Sequence, residues 1–471
     1  VNKTVPLPPF LPDQTVNSGG LSVAENVIPR ADGYGPVQAF SSVSDALPAA
    51  FAGGASFIAA DGTSTLLVGT ADGLVKYDSG TWSDLETGMT VTGAWRFTQF
   101  GNYAIGVNGT ATKVVDLAAG TSGDLTGAPA GVCIGVVGDY VVIGQDSGDL
   151  LGIYYSAPND HTDWTPTIGG AGIQPMLTGG EVMGFSGGEY GVILQRQRIV
   201  RMTRTGDADA PFQFDEIAPN VGCAAKGSVC ASQRTVFFKS DRGFMALEDG
   251  QALKPIGSEK VDRWFDERVS RDDCDKIQSA INPVDKTVTW LVPGSACVMV
   301  IYNWELDRFS TAELSLDGIF AAFTSSLTLE AYSALYPDLD AAPYSLDDAR
   351  FSGGNPRLYA VSGGELGTFS GSNLKATFQT SFREDTPERV CRYRSIRPIG
   401  DVVDGQTITL DLRALLGREG GTATASDLRD NGTMPVRGSG RYCRTTWEIA
   451  AGSEWSYVQG LEFEFEAGGE R

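Results

Sequence analysis

The chain has 471 residues, with 58 Asp and Glu against 36 Lys and Arg, a single His, and a formal net charge of −22. Its apolar content of 42% is enough for a large core and excludes a chain disordered by composition. The acid surplus excludes a protein that grips nucleic-acid phosphates through a basic face, and the lack of any apolar run of about 18 residues excludes a transmembrane helix.

The N-terminus, Val1-Asn2-Lys3 followed by Pro6, Pro8, Pro9 and Pro12, has no apolar stretch of the kind a signal peptide needs. Val1 in place of Met is expected to mark a trimmed start. Residues 1–40 are Pro-rich and lack alternation, so they read as an extended arm. Beyond them the signal is β: short runs of Val, Ile, Phe, Tyr and Thr bounded by Gly, Asp and Asn. The runs fall into seven similar packets, beginning near Ser56, Ala94, Val132, Gly184, Gly227, Ile277 and Ile319. A turn recurs as Gly101-Asn102-Tyr103, Gly138-Asp139-Tyr140 and Gly188-Glu189-Tyr190; Gly supplies the positive φ and Tyr starts the next strand.

Packets of this length suit four-stranded blades stacked radially, because one twisted sheet cannot bury both of its faces alone. The expected fold is all-β: a β-propeller of six to eight blades over residues 41–375, seven favoured by the packet count. An irregular β-sandwich or solenoid is the alternative. One short helix is expected over Ser258–Val269, with Ser258 as its cap and Val261, Trp264, Phe265 and Val269 on one face. Residues 324–356, containing Asp338, Asp340, Asp347 and Asp348, interrupt the seventh packet as a long acidic insertion. From 376 to 471 the strands lengthen, and Glu462, Glu464 and Glu466 alternate with Leu461, Phe463 and Phe465, a strand with one wet face. This region reads as a small C-terminal β-sandwich.

The seven Cys, at 133, 223, 230, 274, 297, 391 and 443, are odd in number and contain no CxxC, so they read as reduced, buried thiols rather than a disulfide framework or zinc site. The single His161 cannot build a multi-His metal site, and no GxSxG accompanies it. Phosphate-loop, dinucleotide and EF-hand spacings are missing. Asp78-Ser79-Gly80-Thr81-Trp82 approaches a sialidase-type turn but is one residue short, and Asp241-Arg242-Gly243-Phe244 lacks the Trp. The expectation is a non-enzyme with no catalytic residues, no cofactor and no metal. Two basic groups stand out: Arg196, Arg198, Arg201 and Arg204, with Arg196 and Arg198 on one strand face, and Arg389, Arg392, Arg394 and Arg397. Both are expected at subunit or partner contacts.

Several stretches, in order, resemble one family. They are Glu25-Asn26-Val27-Ile28-Pro29-Arg30-Ala31-Asp32-Gly33-Tyr34, Trp95-Arg96-Phe97-Thr98-Gln99-Phe100-Gly101-Asn102-Tyr103, Asp163-Trp164-Thr165-Pro166, Gly188-Glu189-Tyr190-Gly191, Phe212-Gln213-Phe214-Asp215, Ile301-Tyr302-Asn303-Trp304 and Gly460-Leu461-Glu462-Phe463-Glu464-Phe465. The chain is similar along nearly its whole length to the tail nozzle, or packaged-DNA-stabilising, proteins of short-tailed bacteriophages. The resemblance implies a structural virion protein assembled in the host bacterial cytoplasm. It implies a homo-oligomeric ring of six copies below the portal-adaptor ring, with tail fibre, spike or needle proteins as neighbours. Packaged double-stranded DNA would pass through without sequence-specific binding, and no membrane insertion is implied. The competing reading is a carbohydrate-binding or glycan-hydrolysing propeller acting as a receptor-binding tail protein. It would need paired carboxylates and exposed aromatics, for which Trp82, Trp164 and Trp455 are candidates.

Overall fold

The computed structural model describes residues 1–468 except 79, 92, 208, 295–297 and 324–355. The acidic insertion expected at 324–356 therefore lies almost wholly outside the described residues. Seven four-stranded antiparallel blades follow one another in chain order, over 51–86, 96–124, 131–175, 182–219, 230–255, 278–313 and 318–373, the last with three strands in that range and its fourth from 38–46. The first strands of successive blades lie side by side, except that blades 4 and 5 meet through an apolar cluster, and Gly318–Phe323 of blade 7 returns to Phe51–Ile58 of blade 1. The ring is thus a closed seven-bladed propeller, as the packet count predicts.

Seven apolar clusters fill the seven blade junctions. Between blades 1 and 2, Phe57, Leu67 and Leu74 meet Trp95, Ala104 and Val115. Between blades 7 and 1, Phe320, Val361 and Leu366 meet Leu66, Val68 and Val75. Each blade buries both faces against its neighbours, so its middle strands are apolar without alternation; Thr287–Val292, for example, is buried throughout. The recurrent turns have the expected positive φ, 58° at Gly101 and at Gly138. The outer strands Thr121–Asp124 and Gly172–Pro175 complete blades 2 and 3. They are short and nearly free of apolar residues, which is why the sequence shows only three runs in those packets.

The first 46 residues are extended but do not stand clear of the molecule. They form five strands: β1 (Asn2–Pro6), β2 (Leu21–Glu25), β3 (Val27–Arg30), β4 (Gly33–Pro36) and β5 (Gln38–Ala46). Strand β5 is the outermost strand of blade 7, pairing antiparallel with Glu365–Asn373. Strands β1 and β4 pair with Val458–Ala467. Strand β2 runs parallel to Arg308–Glu313 of blade 6 and antiparallel to Ala376–Thr380. It thereby sews blade 6 to the C-terminal region in one ten-stranded sheet.

Asn26, between β2 and β3, is the knot of this seam. It is buried at φ 58°, donates from Nδ2 to the Lys375 carbonyl (2.8 Å), and accepts at Oδ1 from the Glu313 amide (2.8 Å). Asn tolerates the left-handed region better than other non-Gly residues. The C-terminal region is a sandwich. One sheet holds Cys391–Gly400, Met434–Gly440 and Val458–Ala467, and the other Ala376–Thr380, Gln406–Arg413 and Tyr442–Ile449. Its core (Phe378, Trp447, Tyr393, Phe463, Phe465) is continuous with Phe244, Trp290 and Phe309 of blades 5 and 6.

Helix α1 spans Asp262–Arg268, starting later than expected, and Ser258 does not cap it. Asp13 does so from the N-terminal segment, its carboxylate accepting the amides of Arg263 and Trp264, both at 2.8 Å. An acid at a helix start satisfies free N–H groups and opposes the helix dipole. Phe265 is buried on the expected face, with Val261 and Val269 beside it.

Candidate functional site

The first arginine group is distributed around blade 4, with every member engaged inside the chain. Arg196 falls in the turn between Gly191–Gln195 and Arg198–Arg204, so it does not share a strand face with Arg198. It donates to the Ala224 carbonyl (2.8 Å) and faces Asp241 at 3.8 Å, on the blade 5 side. Arg198 pairs with Glu216 at 2.5 Å. Arg201 lies over the Tyr190 ring, 4.3 Å from its centroid. Arg204 pairs with Asp139 of blade 3 at 3.0 Å and lies over Tyr140. The group thus fastens blade 4 to both neighbours, and Arg204 keeps the most exposed side chain of the three ion-paired members.

The second group lies on the outer face of the sandwich. Arg389, Arg392, Arg394 and Arg397 are all exposed. Arg394 pairs with Glu466 at 2.5 Å, and Arg397 faces Glu462 at 3.6 Å. The wet face predicted for Glu462, Glu464 and Glu466 is this one: Leu461, Phe463 and Phe465 point into the core. Beneath it Asp385, whose carboxylate is wholly buried, meets Arg383 (3.0 Å), Lys3 (3.2 Å) and the Tyr393 hydroxyl (2.5 Å). Burial pushes the Asp385 carboxyl up, but Arg383, Tyr393 and Lys3 together hold it below its ordinary value. This network pins β1 to the sandwich. The sequence gives no sign of the link to β1, because Lys3 stands 382 residues before Asp385.

The residues searched for catalysis do not converge. His161 stacks on Tyr103 with ring centroids 4.3 Å apart, and burial lowers its pKa. Trp82 and Trp164 spend their indole N–H groups on the carbonyls of Asp45 and His161, and Trp455 is buried. Gly80 and Gly243, with φ of 100° and 110°, are turn glycines. Among the described residues no group of three or more His, Cys, Asp or Glu is placed to hold a metal. Of the cysteines, Cys133, Cys223, Cys391 and Cys443 are buried, Cys230 and Cys274 are half-buried, and all six are unbridged; Cys297 lies outside the described residues.

Among the described residues, three cavities of about 540 to 800 Å³ are of ligand size. One, of about 540 Å³, brings Glu25, Glu267 and Glu313 near Trp264. Burial and the neighbouring Glu313 raise the Glu25 pKa. The Trp264 ring is already covered, by the Arg268 guanidinium (4.3 Å) and by the edge of Phe10. A second, of about 590 Å³, lies between blades 6 and 7 and the sandwich. The third, of about 800 Å³, lies on the propeller axis between the first strands of blades 1, 2, 5, 6 and 7, and contains Arg96 and Lys226. The sequence pattern does not single out Arg96, which reads as one more residue of a strand.

No protein-family model matches the chain, nor does any curated protein. Solved structures share its general form. The extracellular domain of BT4673 from B. thetaiotaomicron is 11% identical with a TM-score of 0.43, over 83% of this chain and 46% of that one, so the chain spans about half of that domain. A chain of the mitotic checkpoint complex is 11% identical, TM-score 0.41, over 72% of this chain and 96% of its own. PorZ, a surface component of the type-IX secretion system of Porphyromonas gingivalis, is 6% identical, TM-score 0.37, over 72% and 45%. The propeller assignment rests on the sheet topology itself, and these likenesses carry nothing about function.

Proposed function

We propose that the chain is a structural wall protein of a phage tail, a nozzle subunit. Six copies would form a ring below the portal-adaptor, retain packaged DNA and later form its exit channel. The ordered stretches that resemble the nozzle family motivate this reading. The structural observation that carries it is the ten-stranded sheet joining blade 6 to the sandwich through β2. A subunit that must hold against a pressurised channel needs its parts fused, and a continuous hydrogen-bonded sheet over one shared core resists hinging. The exposed Arg389, Arg392 and Arg394 are the proposed subunit or partner contacts. Of the first group, Arg204 alone is exposed and remains a candidate; Arg196, Arg198 and Arg201 contribute by bracing blade 4.

In this reading the action is mechanical. The formal charge of −22 per chain would surround DNA without offering it phosphate-gripping sites, so the bore is acidic or mixed and the duplex slides. The isolated chain is expected to be monomeric or weakly associated, and to form rings when the adaptor is present. Electron microscopy of the particle tests this. A six-fold density on the tail axis that fits the propeller supports the proposal, and density only at fibre tips overturns it. A bore lined continuously by Arg would refute the sliding mechanism.

A further inference from the structure

Arg96 opens the innermost strand of blade 2, Arg96–Phe100, and its side chain reaches across the axis to blade 5. A Cβ added to Gly227 would sit 3.2 Å from Arg96 Nη2 and 1.7 Å from the Ile277 carbonyl oxygen, so only glycine fits there. The guanidinium makes no hydrogen bond or ion pair with any described residue. Arg383, set in a comparable place in the sandwich, has Asp385, Thr380 and Thr445 as acceptors. A guanidinium has five N–H donors, and leaving them half-buried without an acceptor is costly. The other titratable groups around Arg96 do not neutralise it. Burial lifts the thiols of Cys133, Cys223 and Cys230 to about 12, 11 and 12, so they stay uncharged at neutral pH.

A second cation lines the same cavity. Among the described residues Lys226 has one loose ion-pair partner, Glu181 at 3.8 Å. Two carboxylates also line it: Asp317 accepts the Gly364 amide (3.0 Å), and Asp275 follows Cys274, the neighbouring Lys276 pairing instead with Asp273 (2.8 Å). One side of the wall is apolar: Phe51 and Phe320 stack with centroids 5.7 Å apart, beside Phe97, Ile277 and Ile319; Lys276, Gln278 and Ser279 line the rest. Its volume of about 800 Å³ falls within the range of small-molecule sites, which pair an apolar wall with a few polar anchors.

We propose that this axial cavity binds a small organic carboxylate, with Arg96 holding the carboxylate and the Phe51, Phe320 and Phe97 side receiving an apolar body. Arg matches a carboxylate with two parallel N–H···O bonds. The proposal is independent of the tail reading, since it concerns the interior of one propeller.

Calorimetry on the full chain with benzoate as the probe tests it, using benzamide as the neutral isostere and inorganic phosphate as an anion without an apolar body. Benzoate is expected to bind one per chain, with benzamide and phosphate each at least tenfold weaker. Arg96→Gln should weaken benzoate at least tenfold, and Arg96→Lys less. Should Arg96→Gln fail to fold, crystals of the unaltered protein soaked in benzoate give the same answer, with density expected against the guanidinium. No benzoate binding, equal binding of benzamide or phosphate, an unchanged Arg96→Gln, or benzoate located elsewhere would each overturn the proposal.

Discussion

Blades 1 to 5 are each wound from one continuous stretch, with every strand hydrogen-bonded to its neighbour in sequence. The N-terminal segment adds a further strand beside the four of blade 6 and supplies the fourth strand of blade 7. Glu25 pairs with Thr311 beside blade 6, and Ala46 pairs with Glu365 in blade 7. The two kinds of blade bury similar apolar clusters, so packing does not distinguish them. The difference is connectivity: local blades make the wall, and the long-range blades fix where the wall begins, where it ends and what it is joined to. A propeller closed by hairpins alone could open between its first and last blades. Here β5 crosses that junction, and β2 ties in the sandwich.

The comparison is tested most severely by asking whether sandwich and propeller unfold together. Trp447→Ala in the sandwich and Trp95→Ala between blades 1 and 2 each remove a side chain about 1% exposed and should each cost about 4 kcal/mol. If the seam makes one cooperative unit, each lowers a single calorimetric transition by a similar amount. Two transitions, only one moved by each variant, would show that the joined sheet does not couple them.

Asn26→Ala removes both side-chain bonds at the seam and leaves alanine at positive φ, so a loss of about 3 kcal/mol is expected in urea unfolding. A loss below that of an ordinary surface change would mean that β2 is held by its backbone alone. Asp385→Asn should cost about 2–3 kcal/mol by leaving Arg383 and Lys3 without their buried carboxylate. Because the folded Asp385 pKa is depressed, its contribution is complete above the ordinary Asp value of about 3.9 and is lost as pH falls through the folded value. The unaltered protein should therefore lose more Tm than Asp385→Asn on going from pH 6 to pH 3.

Two smaller effects separate the cap from the blade staples. Asp13→Ala should cost about 1 kcal/mol through the uncapped α1. Arg204→Ala breaks a half-exposed ion pair with Asp139 and should cost less than about 1 kcal/mol, diminishing further at high salt. A larger loss would mean that the link between blades 3 and 4 depends on its charges as well as on the apolar cluster beneath.

The blades were legible because each depends on neighbours in sequence: apolar runs, a turn glycine, a Tyr opening the next strand. The C-terminal sandwich was legible from alternation, since one face of Val458–Ala467 is wet. What escaped was set by distance along the chain. Strands β1, β2, β4 and β5 pair through their backbones with strands far away in sequence, and no local pattern records such a partner. Ser258 looked like a helix cap, yet the cap is Asp13, 250 residues from Arg263 in sequence. The blade 4 arginines looked like an outward-facing group because their partners, Asp139, Tyr190, Glu216 and Asp241, are indistinguishable in sequence from the chain's other acids and aromatics. Arg96 escaped for the converse reason: what sets it apart is the lack of a partner, which only the folded chain displays.

Strand β5 also fixes an order of events during synthesis. It leaves the ribosome early, but the strand it pairs with, Glu365–Asn373, is made roughly 320 residues later. At about 5–20 residues per second, the finished edge of blade 7 must wait roughly 15 to 60 s for its neighbour. Blades 1 to 6 can form during that interval, each as it emerges. The N-terminal strands remain an open sticky edge until the end, and the prolines spaced through residues 6–12 are the kind of residue that keeps such an edge from pairing with another chain.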